Sequence, residues 1–227
     1  MDHPLDNQVW HALMGAQAHH AVVVTDEVRL IRPELAPGVA MKRITTANLS
    51  AVAAAIAVGA TVIMHSPDPL ELPRELEMVD SHPLLQMVAN RSAPIESAGA
   101  VRELGPADVP AMKRLIDAAQ PGPLLPGALV LGRFVGVPVG DELAAIAGDR
   151  FRPPGYVELC TVCSHPDFRG RGYAKMVVSA VASDIVAQGN IPYLMVVPDN
   201  TPAVRLYESL GFEARREFYF NAFRRVA

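Results

Sequence analysis

The chain has 227 residues, half of them apolar and 19% charged, which is enough apolar material for one large core or two small ones. Its net charge of -4 offers no positive field of the kind that gathers nucleic acid or an anionic membrane surface. Only two cysteines occur, Cys160 and Cys163, and no second pair could complete a tetrahedral metal site with them, so two small thiols on a buried strand are expected.

The opening MDHPLDNQVW lacks the basic-then-apolar order of a secretory signal, and a cytoplasmic protein is expected. Residues 7–14 predict a short helix stopped by Gly15. Residues 46–58 predict a longer one, capped by Thr or Asn and stopped by Gly59. The apolar run 49–64 is Ala-rich, broken by Gly59, and shorter than the ~20 residues of a membrane span. Residues 60–64 and 78–88 read as extended. His3, His11, His19, His20, His65 and His82 are scattered, and the adjacent His19 and His20 would point apart in a helix or a strand, so surface or core-polar roles are favoured over a metal site. A seam at 92–106, rich in small residues, Pro and Gly, divides an N-terminal α/β lobe (1–98) from a second unit (99–227).

The second unit opens with a helix start: Asp108 can cap, Pro110 fits the first turn, and Met112, Leu115, Ile116 and Ala119 keep helical spacing until Pro121 and Gly122. Residues 132–139 and 143–151 flank Val139-Gly140-Asp141-Glu142, a hairpin signal. YVELCTVC (156–163) is dense in β-branched and aromatic residues and reads as a strand closed by His165-Pro166. From about Gly172, the spacing of Ala174, Val177, Val178, Val181 and Ile185 predicts a helix that Gly189 stops. Residues 191–197 form a buried strand. Asn200-Thr201-Pro202 then starts a helix running to Gly211, and 212–226 ends the chain as an extended segment whose aromatics and arginines fit an alternating strand better than nucleic-acid stacking. The order is α/β, with the middle strands parallel.

In RGRGYA (169–174) a strand gives way to a helix, whose first N–H groups have no internal partner and can face an anion. Gly170 and Gly172 let a phosphate approach the main chain without a Cβ in the way. The segment contains no GxxxxGK[ST], and GxGxxG is not matched, so neither a P-loop NTPase nor a Rossmann site is supported. A plain surface turn stays open on this loop alone.

The run from YVELCTVCSHPDFRGRGYA to VVPDNTPAVRLYESLGF resembles the GNAT acetyltransferase superfamily. Arg169, Gly172 and Ala174 match its R/Q-x-x-G-x-G/A loop. Asn200, Ala203, Tyr207, Gly211 and Phe212 match its later N-x-x-A-x-x-x-Y-x-x-x-G-F helix. The likeness covers roughly 101–227 and is similar to the FR47-like branch related to glycine N-acyltransferases; residues 1–98 would be a degenerate GNAT-like lobe, structural or lining the acceptor site.

The resemblance implies a mixed central sheet flanked by helices and acetyl-CoA as acyl donor, with no metal. The strand 156–163 would splay from 191–197, and the backbone of Val162 and Cys163 would pair with the pantetheine arm. Arg169, Gly170, Arg171, Gly172, Tyr173 and Ala174 would hold the phosphates, with Lys175 adding charge, and Asn200 would cap its helix or touch the cofactor. Glu158 would act as base, directly or through a water. Tyr207, two helical turns after Asn200, would protonate the departing thiolate. The implied activity is acetyl transfer to a primary amine of a small molecule or peptide, with a catalytically silent CoA-binding protein as the alternative. The acceptor and the choice between monomer and homodimer are left open.

Overall fold

The computed structural model describes residues 3–89, 101–119, 124–125 and 127–226. A 3-10 turn, Pro4–Asn7, leads into α1 (Gln8–Met14). Strands β1 (Ala21–Thr25), β2 (Val28–Ile31) and β3 (Val39–Met41) form a small antiparallel sheet. Helix α2 (Thr46–Ala55) is capped by Thr45, whose side chain accepts from the Asn48 N–H at 3.2 Å. It ends before the expected Gly59 because β-branched Ile56 takes an extended backbone and its carbonyl accepts from Arg225 at 2.9 Å. Two long-range strands follow, β4 (Thr61–Ser66) and β5 (Leu76–Ala89).

After β6 (Arg102–Leu104) comes α3 (Val109–Ala119). Asp108 sits at the end of the turn before α3 rather than at its cap: its carboxylate accepts from the Gly105 N–H at 2.9 Å and pairs with Arg102 at 2.7 Å, which together hold it down at about 2. The expected stop at Pro121-Gly122, like the seam residues 92–100, lies outside the described residues. Helix α4 (Ala128–Leu131) precedes the predicted hairpin of β7 (Phe134–Val139) and β8 (Glu142–Asp149), closed by the pair Val139 and Glu142 around Gly140 at φ +61°. Then follow β9 (Tyr156–Ser164), α5 (Tyr173–Ala187), β10 (Ile191–Val196), α6 (Thr201–Ser209) and β11 (Phe212–Arg225).

The main sheet has the order β4-β11-β5-β10-β9-β8-β7-β6. Its neighbours are antiparallel except β9 and β10, the parallel pair expected from the α/β order. Val177, Val178, Val181 and Ile185 of α5, Tyr207 of α6 and Leu210 just after it bury one face against Met87, Val157, Leu159, Leu194 and Phe212. Met112, Leu115 and Ile116 of α3 cover the other face with Phe134, Ile146 and Cys163. Among the described residues no helix is long and apolar enough to cross a membrane.

The two halves share this sheet. Strand β11 lies between β4 and β5, both from the first half, and β10 takes β5 as its second neighbour. Buried Asn221 on β11 donates to Ser66 Oγ at 2.9 Å and accepts from Ser81 Oγ at 3.0 Å, fixing β11 against both. Gln17, also buried, donates to the Arg150 carbonyl at 2.9 Å and accepts from the Arg152 N–H at 3.0 Å, stitching the N-terminal segment to the β8–β9 connection. A chain starting at residue 99 therefore leaves β11 with neither neighbour, and we expect it to be unfolded or aggregated by circular dichroism and size-exclusion chromatography. A soluble, monodisperse, fully active product would show the first half to be dispensable.

Candidate active site

Strand β9 pairs with β10 only over Ile191–Tyr156, Pro192–Val157 and Tyr193–Glu158. Beyond that rung β9 runs on beside β8 to Ser164, and β10 runs on beside β5 to Val196, so a wedge opens between them. The register of β9 against β8 shifts between Ile146 and Gly148, and Thr161 takes φ +52°, a left-handed conformation that a β-branched residue adopts only under constraint. The side chains record this bulge. Val157 and Leu159 face α5, and after the extra residue it is Val162 that packs against that cluster while Cys163 turns to the α3 side. The predicted pair Val162 and Cys163 thus follows the bulge on the edge of β9 that no strand covers.

The 3-10 turn Pro166–Phe168 leads from β9 to the loop. Gly170 and Gly172 have φ of +75° and +81°, and a Cβ on either would meet no atom within 4 Å. Glycine is needed there for the backbone, and the space above it is open. The first turn of α5 carries no acidic side chain, and the earliest helical acceptance by Gly172 is from the Met176 N–H at 3.1 Å, which leaves the N–H groups of Tyr173, Ala174 and Lys175 without an intrahelical acceptor. Arg169, Arg171 and Lys175 are exposed around them, with the Arg171 guanidinium 5.4 Å from the centre of the Phe168 ring. Phe168 and Tyr173 pack on the core beside Val162 and Tyr207. Asn200 caps α6, its side chain accepting from the Ala203 N–H at 3.3 Å.

Tyr207 is buried edge-on against Phe212, ring centres 6.0 Å apart. Burial pushes its phenol up to about 12, and the thiols of Cys160 and Cys163 add to the shift although they lie on the opposite face of the sheet. The phenol is a neutral donor at any ordinary pH. Burial raises Cys160 to about 11 and Cys163 to about 12, so both are thiols rather than thiolate nucleophiles.

Glu158 faces away from α5 and is 2% exposed. Its two carboxylate oxygens accept from Arg150 Nε at 3.0 Å and Nη2 at 2.9 Å, a bidentate pair. An amine has no direct route to this carboxylate, so proton transfer to it requires an intermediary. Half-buried His65 lies within the field of the pair; burial lowers it to about 4 despite the opposing pull of Glu158, so the imidazole is neutral. No group of His, Cys, Asp or Glu suited to a metal occurs among the described residues. Sequence reasoning missed Arg150, Thr161 and Tyr193. Arg150 was visible only as the end of a strand, and no local signal marks a threonine for positive φ.

The chain is similar to known proteins in sequence and in fold. A family model described as FR47-like protein covers residues 134–221. A GNAT-family protein of Novosphingobium aromaticivorans is 35% identical over 100% of both chains, with a TM-score of 0.90. A GCN5-related N-acetyltransferase from Kribbella flavida has the same fold at 15% identity, over 96% of this chain and 95% of its own, with a TM-score of 0.61. The N-alpha-acetyltransferase RimI of Mycobacterium tuberculosis is 34% identical over 92 residues, 38% of this chain and 57% of its own. The chain spans 23%, 37% and 57% of the length of the first curated relatives it matches. It belongs to the GNAT acetyltransferase family.

The Glu158–Arg150 pair gives a stability prediction. Glu158→Gln leaves a largely buried guanidinium unpaired and is expected to cost about 3 kcal/mol in urea unfolding. Adding Arg150→Met should recover part of that loss. An unchanged midpoint and slope for Glu158→Gln would show that the pair contributes nothing.

Proposed function

We propose that the protein is an acyl-CoA-dependent N-acyltransferase that moves an acetyl group from acetyl-CoA to a primary amine. The observation that carries this reading is the wedge between β9 and β10, whose open strand edge leads directly to the free N–H groups at the start of α5. A pantetheine arm has the amide groups to pair with such an edge, and a pyrophosphate has the charge that suits the glycine loop, Arg169, Arg171 and Lys175. The open space over Gly170 and Gly172 fits that group.

The acceptor comes from the other face. Leu5 to Gln8 cross the sheet on the side of Glu158, where the Leu5 carbonyl accepts from Gln86 at 3.1 Å. Gln86 pairs with Met195, two residues from Tyr193, so all three face one way. Beside this segment lies a groove of about 680 Å³ whose walls include Trp10, Met41, Met64, His65 and Leu70. This is the size of a small-molecule or peptide-terminus site, and in this reading the first half supplies the acceptor walls.

The amine attacks as its free base. Its lone pair forms the C–N bond while the carbonyl π pair moves to oxygen; collapse then re-forms the carbonyl and breaks the C–S bond. The sulfur leaves with the bonding pair and takes the phenolic proton of Tyr207. The extra proton on nitrogen leaves toward Glu158 through a water, and the cycle closes when Glu158 gives that proton to solvent and solvent returns one to Tyr207.

Two measurements test the reading. Acetyl-CoA should raise the melting temperature of the folded protein, and Gly172→Val should remove that shift, since a branched residue at φ +81° displaces the loop amides. A properly folded Gly172→Val protein with the full shift would refute the phosphate cradle. Tyr207→Phe keeps the packing and the thermal shift but should lower turnover about 10²-fold, at the low end for general acid catalysis because a thiolate leaves readily. Thiol release from acetyl-CoA with a panel of primary amines reads this out, and wild-type turnover with chemistry rate-limiting would return Tyr207 to a packing role.

A further inference from the structure

The plan of the β9–β10 wedge occurs a second time in the first half. Strands β2 and β3 pair antiparallel as β8 and β9 do, and β3 leads through α2 to β4 as β9 leads through α5 to β10. β3 and β4 meet in parallel at the single bridge Gly38–Ile63, where the Ile63 N–H donates to the Pro37 carbonyl at 2.7 Å, and then part into separate sheets. Exchanging the halves also maps the order β4-β11-β5-β10 onto itself, β4 onto β10 and β5 onto β11. The groove of about 680 Å³ lies between the parted strands, with Val39, Ala40 and Met41 on one wall and Met64 and His65 on the other.

The start of α2 is closed to an anion. The connection Lys42-Arg43-Ile44-Thr45 contains no glycine, and Thr45 already accepts from the Asn48 N–H. The Asn48 side chain donates to the Glu27 carboxylate at 3.0 Å and to the Arg43 carbonyl at 2.8 Å. A carboxylate in that position excludes a phosphate. The groove's carboxylates also balance its Lys and Arg side chains, Asp6 and Asp68 against Lys42 and Arg216, so neither a polycation nor a polyanion is matched. What this wedge keeps is its backbone edge. On β4, a period of two puts the N–H and C=O of His65 on the same edge as the Ile63 N–H, away from β11. On β3, the Met41 carbonyl accepts from the Asn7 side-chain amide at 2.7 Å, so an amide is the group that the protein itself places on this wedge.

We propose that the β3–β4 groove is a binding site for an extended, unphosphorylated peptide segment, which adds to the β4 edge as a strand. Such a segment carries a row of amides and no net backbone charge. It pairs with His65 through main-chain hydrogen bonds and lays alternate side chains against Trp10, Met41 and Met64. Lys42 and Asp68 lie past the ends of β3 and β4, exposed and in no ion pair among the described residues, and are left for the charged ends or side chains of that segment. A polyamine has no row of amides to match a strand edge. Binding here does not depend on acyl transfer; in the acyl-transfer reading above, the bound segment would carry the acceptor amine.

The test uses the full chain and a random library of pentapeptides with free amino termini. The best binder is resynthesised with N-methyl groups on either its odd or its even amides, and spermidine and coenzyme A serve as non-peptide probes. Amide hydrogen exchange followed by NMR locates each probe. The pentapeptide should slow exchange at the His65 N–H, whereas coenzyme A should act at the start of α5 and leave His65 unchanged. One N-methylated form should bind about 10-fold more weakly and the other like the parent, because only alternate N–H groups of an added strand face β4. No pentapeptide binding at about 1 mM would overturn the proposal. Binding that leaves His65 exchange unchanged, equal affinity of the two N-methylated forms, or protection of His65 by spermidine alone would overturn it too. A pentapeptide that protects His65 yet releases no thiol from acetyl-CoA would leave the site standing and remove the peptide as acceptor. If acetyl-CoA gives the protein no thermal stability, the acyl-transfer reading itself fails, an outcome separate from failure at the groove.

Discussion

A sheet can open between two of its strands only if each is held firmly on its other edge. Here that condition is met by β8 on one side and β5 on the other. The ladder between β5 and β11 runs through thirteen residue pairs, from Phe212–Ala89 to Arg225–Leu76, and β4 holds the outer edge of β11. The wedge thus depends on strands that come from the first half of the chain, although the residues flanking it belong to the second. Function and fold divide along different lines: the seam that composition suggests in the sequence is crossed by the sheet, the buried core, and the hydrogen bonds of Gln17 with Arg150, Gln86 with Arg215 and Asn221 with Ser66.

The electrostatics around the wedge follow one pattern. Charge is concentrated at its mouth, in Arg169, Arg171 and Lys175, where water screens it and an anionic ligand would meet it. Toward the interior the groups are neutral: the phenols of Tyr193 and Tyr207 and the thiols of Cys160 and Cys163 are all raised by burial, and His65 is lowered by it. The deep charge, Glu158, is compensated in two directions by Arg150. In the acyl-transfer reading proposed above, a neutral amine and a neutral thioester would meet an interior whose own groups are already neutral.

The sequence made local events legible. The helix starts at Thr45 and Asn200, the hairpin around Gly140 and the left-handed glycines before α5 depend on interactions a few residues apart, and each was found where the residue types require it. The loop and the α6 motif identified the family for the same reason. What the sequence did not reveal is non-local. Residues 78–88 read as extended, yet nothing in them announces pairing with both β10 and β11, because alternating burial is satisfied equally by any neighbour of the right register. Glu158 stood out as an ionisable residue on a strand, but its partner Arg150 lies beyond a turn, and without the pair its carboxylate looks more available than it is.

The bulge at Thr161 and the orphaned hydroxyl of Tyr193 share a physical cause. Both are local costs, of roughly 1–3 kcal/mol each for a residue forced to positive φ and for a buried polar group without a partner. They sit within a few residues of the same rung, while Asn221, Gln86 and Gln17 elsewhere in the core are fully engaged. The backbone strain of Thr161 lies where the two strands separate, and of the two buried hydroxyls without a partner among the described residues Tyr193 is on the last rung and Ser179 is on α5. There the ladders of β9 with β8 and of β10 with β5 hold the geometry that the local sequence disfavours.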